Sequence, residues 1–486
     1  MPCRASYPRV ENQLADVFCS HSVRSSITSL PPLPFLVPAV LEALGQSTEY
    51  GNITEVVPGE ADLHCAHYLK EHGGLVLTGD SDLLVHDLGP NGAVSFLKDV
   101  DSFSSNSIGK LSCHLYQPAN IAERLAIPDL QSLAFEIVMD PFVKFPKLVK
   151  QAQASTAIRS HPGEFADFLR EYVQLSPSLP QSSDRFANLQ PVLQKLDPRI
   201  SELVLQSPCL AWQVESAKRG ASKPHVFLPF LLDCPIRTSA WESSTAVRQL
   251  AYSLVNLLAS RDEQTISVFE HRKQSDKSAG RELELPQTSR IPDECNVLLK
   301  LLLELRSKLP KLTEGQLWIA VAVHQNIQWS IAYGKPFSIT LFIQQFQQLE
   351  KSKEKGDFSW EAIQFFAELQ ASLYSFRILR QLLGLLIANG NCLSELQLLH
   401  AQMQSLPELT DFPSLADATC ALRKVGNQEM MVAIKSIVEI LVPLPAIYSQ
   451  MPPKATKKKR KRDSRVSEPP NTKKRPTNLF ELLDVE

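Results

Sequence analysis

Two carboxylate pairs, Glu60/Asp62 and Asp80/Asp82, stand around one apolar run within residues 54–87, TEVVPGEADLHCAHYLKEHGGLVLTGDSDLLVHD. Val56-Val57 reads as the end of a short strand, broken by Pro58-Gly59. From Glu60 to Glu71, Leu63, Ala66, Tyr68 and Leu69 recur at helical spacing, and Gly73-Gly74 stops the helix. Leu75-Val76-Leu77-Thr78 is a continuous apolar run, the pattern of a strand buried on both faces. Strand, helix, strand asks for a parallel sheet, whose ligands gather beyond the carboxyl ends of the strands. Four carboxylates collected there repel one another, and hard divalent cations are their natural neutralisers.

Each pair alone says little, because a D-x-D after a strand is commonly a turn and acids commonly open helices. Together, in one frame, PGEAD and TGDSDLLV resemble the internal motif block of the XPG/flap-endonuclease superfamily. The continuation VHDLGPNGAVSFLKDV is closest to its fungal asteroid-like members. The resemblance implies an α/β, PIN-like domain and a metal-dependent nuclease that hydrolyses phosphodiesters. In that family the two acidic pairs hold Mg²⁺ or Mn²⁺, so Glu60, Asp62, Asp80 and Asp82 are implied as metal ligands and catalytic residues. A family helix further on delivers another metal-binding aspartate, and Asp140 matches it, although Met139 and Pro141 depart from the signature. The resemblance also implies DNA or RNA, single-stranded or flap-like, as the substrate.

The chain departs from that family in two places. Superfamily nucleases open with Met-Gly-(aliphatic)-x-Gly-Leu and take two further strand-borne aspartates from their first part. Here the sequence opens MPCRASYPRV, and the acids before Tyr50 are Glu11, Asp16, Glu42 and Glu49, none after an apolar strand run. The expectation is a half-built metal site, an incomplete sheet and impaired cleavage, or a start that lies upstream. The family's glycine-rich helix-turn-helix for gripping duplex is not visible either, since Gly163 is the only glycine between Pro141 and Ile200. A reading from another class follows: a non-catalytic nuclear interaction or scaffold protein, or a post-transcriptional regulator.

The sequence divides into an unassigned segment 1–30, an α/β part 31–145, a helical linker 146–190, a helical asteroid-like domain 191–450, a basic tail 451–477 and a terminal motif 478–486. At the start of the α/β part Phe35–Leu44 reads as a helix with Val37, Val40, Leu41 and Leu44 on one face. Leu88–Gly92 signals a hairpin between LLVHD and AVSFLKDV. Lys144, Lys147 and Lys150 repeat every third residue, a solvated helix face. Seven apolar-periodic segments between Thr245 and Leu441 make the second half helical.

Charge is divided unevenly. From Pro452 to Pro476 there are eleven Lys/Arg and two acids, whereas the chain as a whole carries −2, so the body is acidic. Two basic clusters, Lys457–Arg462 and Lys473–Arg475, resemble a bipartite nuclear signal read by importin, and the expected location is nuclear. Asn478-Leu479-Phe480-Glu481-Leu482-Leu483 is a short apolar island, suited to docking on the chain's own helical domain or on a protein partner. Nine scattered cysteines without CxxC argue against a disulfide framework or a zinc ribbon. No apolar run reads as a membrane span, and no membrane partner is expected.

Overall fold

The structure, a computed structural model, describes residues 34–57, 61–102, 111–173, 189, 191–207, 223–234, 237–259, 261–272, 280–352, 358–390, 393–423 and 429–441. Two compact units divide the chain, Met1–Pro443 and Leu444–Glu486. The second, with the basic clusters and the apolar island, lies outside the described residues, as do segment 1–30 and Glu60.

The first element is helix α1 (Leu36–Gln46), which opens at Phe35 in the left-handed region, φ 57°. Its expected apolar face is turned outward: Val37 and Val40 are exposed, and Phe35 and Pro38 are buried instead. Two contacts explain the rotation. Phe35 stacks on Tyr374 at 4.9 Å between centroids, and Glu42 pairs with Arg377. Residues 54–57 are irregular after a short 3₁₀ turn Gly51–Ile53, so Val56-Val57 is not a strand.

Helix α2 (Ala61–His72) and strand β1 (Gly74–Thr78) form as the periodicity predicts. Gly73 ends the helix at φ 71°, and a Cβ there would meet the Asn91 Cβ at 2.9 Å. Strand β2 (Gly92–Phe96) then pairs parallel to β1, Gly74 opposite Gly92 and Thr78 opposite Phe96. The expected hairpin is therefore absent. Asp82–Val85 is a 3₁₀ turn, and Leu83 and Leu88 fold inward to share a core with Ala66, Leu69 and Val94. Burying those two leucines turns LLVHD into a crossover instead of a strand. A Cβ at Gly92 would come within 2.2 Å of the Leu88 carbonyl oxygen, so the tight return needs glycine there.

This sheet has only two strands among the described residues. The strand expected to be buried on both faces is not: Leu75 and Leu77 are 47% and 50% exposed. Val76 alone of the three packs on the core, because a two-stranded ribbon with one helix covers one face. A second ribbon, β3 (Val100–Ser102) against β4 (Leu111–Cys113), is antiparallel.

Five helices follow: α3 (Pro118–Leu125), α4 (Leu130–Met139), α5 (Phe145–Gln153), α6 (Thr156–Ser160) and α7 (Pro162–Val173). Asp129 caps α4, accepting from the Ser132 N–H at 2.7 Å. Buried Glu136 on α4 accepts from the Ala157 N–H at 2.7 Å and ties α6 to it. Phe135, Ala157 and Phe168 make a core against which Val85, Met139 and Tyr172 also pack.

The second half is helical, as expected, but it also contains a sheet that periodicity does not reveal. Helix α8 (Pro198–Gln206) leads to strand β5 (His225–Phe227), and helix α9 (Thr245–Ser253) precedes β6 (Ser267–His271) and β7 (Arg281–Glu284). Strand β6 is central, parallel to β5 and antiparallel to β7. Around it stand α10 (Ile291–Lys308), α11 (Glu314–Ala332), α12 (Ser338–Ser352), α13 (Trp360–Ala388), α14 (Ser394–Met403), α15 (Leu415–Leu422) and α16 (Glu429–Leu441). Helix α13 is the hub, packed by α9, α11, α12 and α14. By length and composition it could cross a membrane, the span that the short apolar runs did not predict, and 72% of its apolar window is buried inside the protein.

Candidate metal centre

The carboxyl end of β1 runs into Gly79-Asp80-Ser81-Asp82, and the first turn of α2 carries Asp62. The fold brings three of the sequence-predicted acids, Asp62, Asp80 and Asp82, into electrostatic contact. Burial and then the charge of Asp80 push the Asp62 carboxyl above its ordinary value, with Asp82 adding to the rise and His86 opposing it. Asp80 and Asp82 themselves are exposed.

The local geometry of Asp80 is that of a turn. Its N–H donates to Thr78 Oγ1 at 3.0 Å, and its Oδ1 accepts from the Asp82 N–H at 3.3 Å. One carboxylate oxygen thus closes the turn, and the other has no hydrogen bond among the described residues. Asp87, one turn further, is committed to structure: Lys70 Nζ lies 2.7 Å from its Oδ2, and the Gly89 N–H donates to its Oδ1 at 3.1 Å. The Lys70 hydrogen bond holds its carboxyl below the usual range.

His86 belongs to this site and was missed in the sequence, where a lone histidine in LLVHD gives no signal. It is 7% exposed, edge-on to Tyr172, with Nδ1 buried and without a hydrogen-bond partner among the described residues. Burial holds the imidazole below its ordinary pKa, against the opposite pull of Asp62, the Tyr172 backbone and Asp82. A buried unpartnered nitrogen beside crowded carboxylates costs free energy unless something else engages it.

Asp140 caps the C-terminus of α4 and is exposed. Among the described residues no three His, Cys, Asp or Glu side chains are grouped closely enough to hold a metal ion. The donors suit a hard cation in kind, since they are carboxylate oxygens, and Asp80 and Asp82 raise the proton affinity of Asp62. They stand as a crowded cluster and not as a closed cage. His67 and His72, which flank Tyr68, are occupied otherwise: His67 pairs with Glu71 at 3.2 Å and His72 stacks on Tyr68.

The family model for XPG domain containing proteins matches residues 32–285, more than half of the chain. The chain belongs to that family, and residues 32–285 carry an XPG-type, nuclease-like domain. No curated protein matches the chain, and no solved structure matches it.

Proposed function

We propose that the α/β part is a PIN-like, divalent-cation site of nuclease type, acting on DNA or RNA in single-stranded or flap-like form. The observation that carries the reading is the crowding of Asp62 by Asp80 and Asp82 at the carboxyl end of a parallel strand, inside the family-matched region. Asp62, Asp80 and Asp82, joined by Glu60, would hold Mg²⁺ or Mn²⁺, with Asp140 in a supporting position. Such a cation supplies activated water and neutralises charge on the scissile phosphate. The chain's own part is to position the carboxylates: the Thr78 hydroxyl accepts from the Asp80 N–H and fixes the turn, and His86 tempers the repulsion felt by Asp62.

Among the described residues the cluster is open and the sheet has two strands, and both favour weak cleavage over robust turnover. The same two features support the second reading, a non-catalytic interaction or regulatory protein that retains the domain as a binding module. The basic clusters 457–462 and 473–475 would engage importin and direct the chain to the nucleus, and 478–486 would dock on a protein surface. Incubation of the full chain with labelled flap and single-stranded substrates in Mg²⁺ or Mn²⁺ tests the activity. Cleavage should be feeble or undetectable. Robust turnover abolished by Asp82→Asn would overturn the impaired reading and leave the site assignment standing.

A further inference from the structure

The turn between α4 and α5 exposes aromatic and basic side chains together. Phe142 is 95% exposed and Phe145 is 54% exposed, with Val138 at 62% beside them in sequence. Lys144, Lys147 and Lys150 are exposed as well, and among the described residues none of them has an ion pair. Helix α5 turns Leu148 and Ala152 into the core with Leu133, so Lys147 and Lys150 lie on the opposite side. Asp140 is the one acid in the turn, which leaves the surface net positive. A bare phenylalanine at the tip of a helix–helix turn buries nothing and stabilises nothing in the fold, whereas charge and aromatic faces in alternation suit a particular kind of ligand.

We propose that Phe142, Phe145, Lys144, Lys147 and Lys150 form a stacking platform for a single-stranded segment of nucleic acid. The inference rests on the nucleic-acid reading above and adds the surface that takes the unpaired strand. Unpaired bases present π-faces to exposed aromatic rings, and their phosphates meet lysines. A duplex hides those faces within its own stack and offers Phe142 nothing to cover it. The platform also shares a foundation with the acidic turn: Met139, just before the platform, and Val85, three residues after Asp82, pack on the same Phe135–Phe168 core. A strand held on the platform would therefore be tied to the rigid body that carries the carboxylates.

Fluorescence anisotropy of a labelled twenty-nucleotide oligothymidylate or oligouridylate on the full chain, in EDTA, tests this without any cleavage. The double variant Phe142→Ala/Phe145→Ala should bind about tenfold more weakly or worse, with the salt dependence unchanged. Lys144→Ala/Lys147→Ala/Lys150→Ala should reduce the slope of log K against log salt by about 2. Phe142→Trp should keep the affinity, and unfolding curves of all variants should match the wild type. The basic run 457–475 contains no aromatic residue, so it cannot produce the aromatic-dependent loss. Equal binding by the wild type and the double phenylalanine variant would overturn the platform and leave the nucleic-acid reading intact. No oligonucleotide binding by the wild type would overturn both, and binding only to anionic phospholipid vesicles would reassign the surface to a membrane.

Discussion

The half-buried Asp62 of the α/β part and the buried Arg248–Glu270 pair of the second half stand in opposite surroundings. In the core, Arg248 and Glu270 are both fully buried, and each hydrogen-bonding atom is used. Arg248 Nε donates to Glu270 Oε1 at 2.6 Å and Nη2 to Oε2 at 3.0 Å, while Nη1 donates to the Ser244 and Ser375 hydroxyls. Tyr252 and Arg272 satisfy Glu270 from the other side. In the α/β part, Asp62 faces two further carboxylates, and the His86 beside it has a ring nitrogen without a partner among the described residues. A compensated charge is architecture. Charge left crowded by the fold asks for a ligand.

That contrast makes opposite mutational predictions. Arg248→Met takes from the buried Glu270 carboxylate the larger of its two arginine partners, leaving Arg272 alone, and should lower stability by about 3 kcal/mol, read as a fall in the urea midpoint. Adding Glu270→Leu should recover much of that loss, because the under-compensated carboxylate then disappears while Arg272 keeps Glu242. If Arg248→Met is tolerated within about 1 kcal/mol, the network is not the closed unit described here.

Core size sets the next comparison. Leu379 on α13 and Leu83 after β1 are both completely buried. Leu379→Ala should cost about 4 kcal/mol, since the dense helical surroundings cannot close on the cavity. Leu83→Ala should cost about 2 kcal/mol, because the small core around it can collapse from its open side. Thermal unfolding of both variants would show the difference, and equal losses would mean that the two cores are equally rigid.

Acid separates the regions by sign. Burial raises the Glu270 carboxyl, but Arg248 and Arg272 outweigh it and hold the group at about 2, below its ordinary 4.5. Its stabilising contribution is therefore present above pH 4.5 and is lost as pH falls toward 2. Asp62 is shifted up, so its repulsion is present at neutral pH and is relieved as the group takes a proton. Wild type should lose about 1 kcal/mol through Glu270 between pH 7 and pH 3.5. Asp62→Asn should show a steeper loss than wild type over that interval, because it lacks the opposing relief.

How much of this was legible in the sequence follows from where the signals lie. Helix α2, β1 and the hub α13 were plain, because long apolar periods and Gly punctuation are local. The direction in which α1 faces was not, since a stacked Phe35 and the Glu42–Arg377 pair depend on a helix more than 300 residues away. The β5–β6–β7 sheet escaped because its strands are three to five residues long and one buries a glutamate that only two arginines make tolerable. The hairpin reading failed on Leu83 and Leu88, whose burial in one core demands a turn where alternation suggested a strand. Of the site, the acids were visible as spaced pairs, whereas His86 acquires meaning only through burial.

The smallest expected stability effect belongs to the acidic turn itself. Asp80→Asn/Asp82→Asn should leave metal-free stability within about 0.5 kcal/mol of wild type, or slightly above it, since both side chains are exposed and like-charged. A loss as large as that of Arg248→Met would make these aspartates structural.

Titration calorimetry of Mn²⁺ into the full chain, with wild type beside Asp80→Ala/Asp82→Ala, tests the central contrast most directly. The account predicts saturable binding by the wild type, accompanied by a rise in its unfolding temperature, and neither effect in the variant. Equal binding by the two proteins, or none by the wild type, would contradict the assignment of Asp62, Asp80 and Asp82 as a cation site.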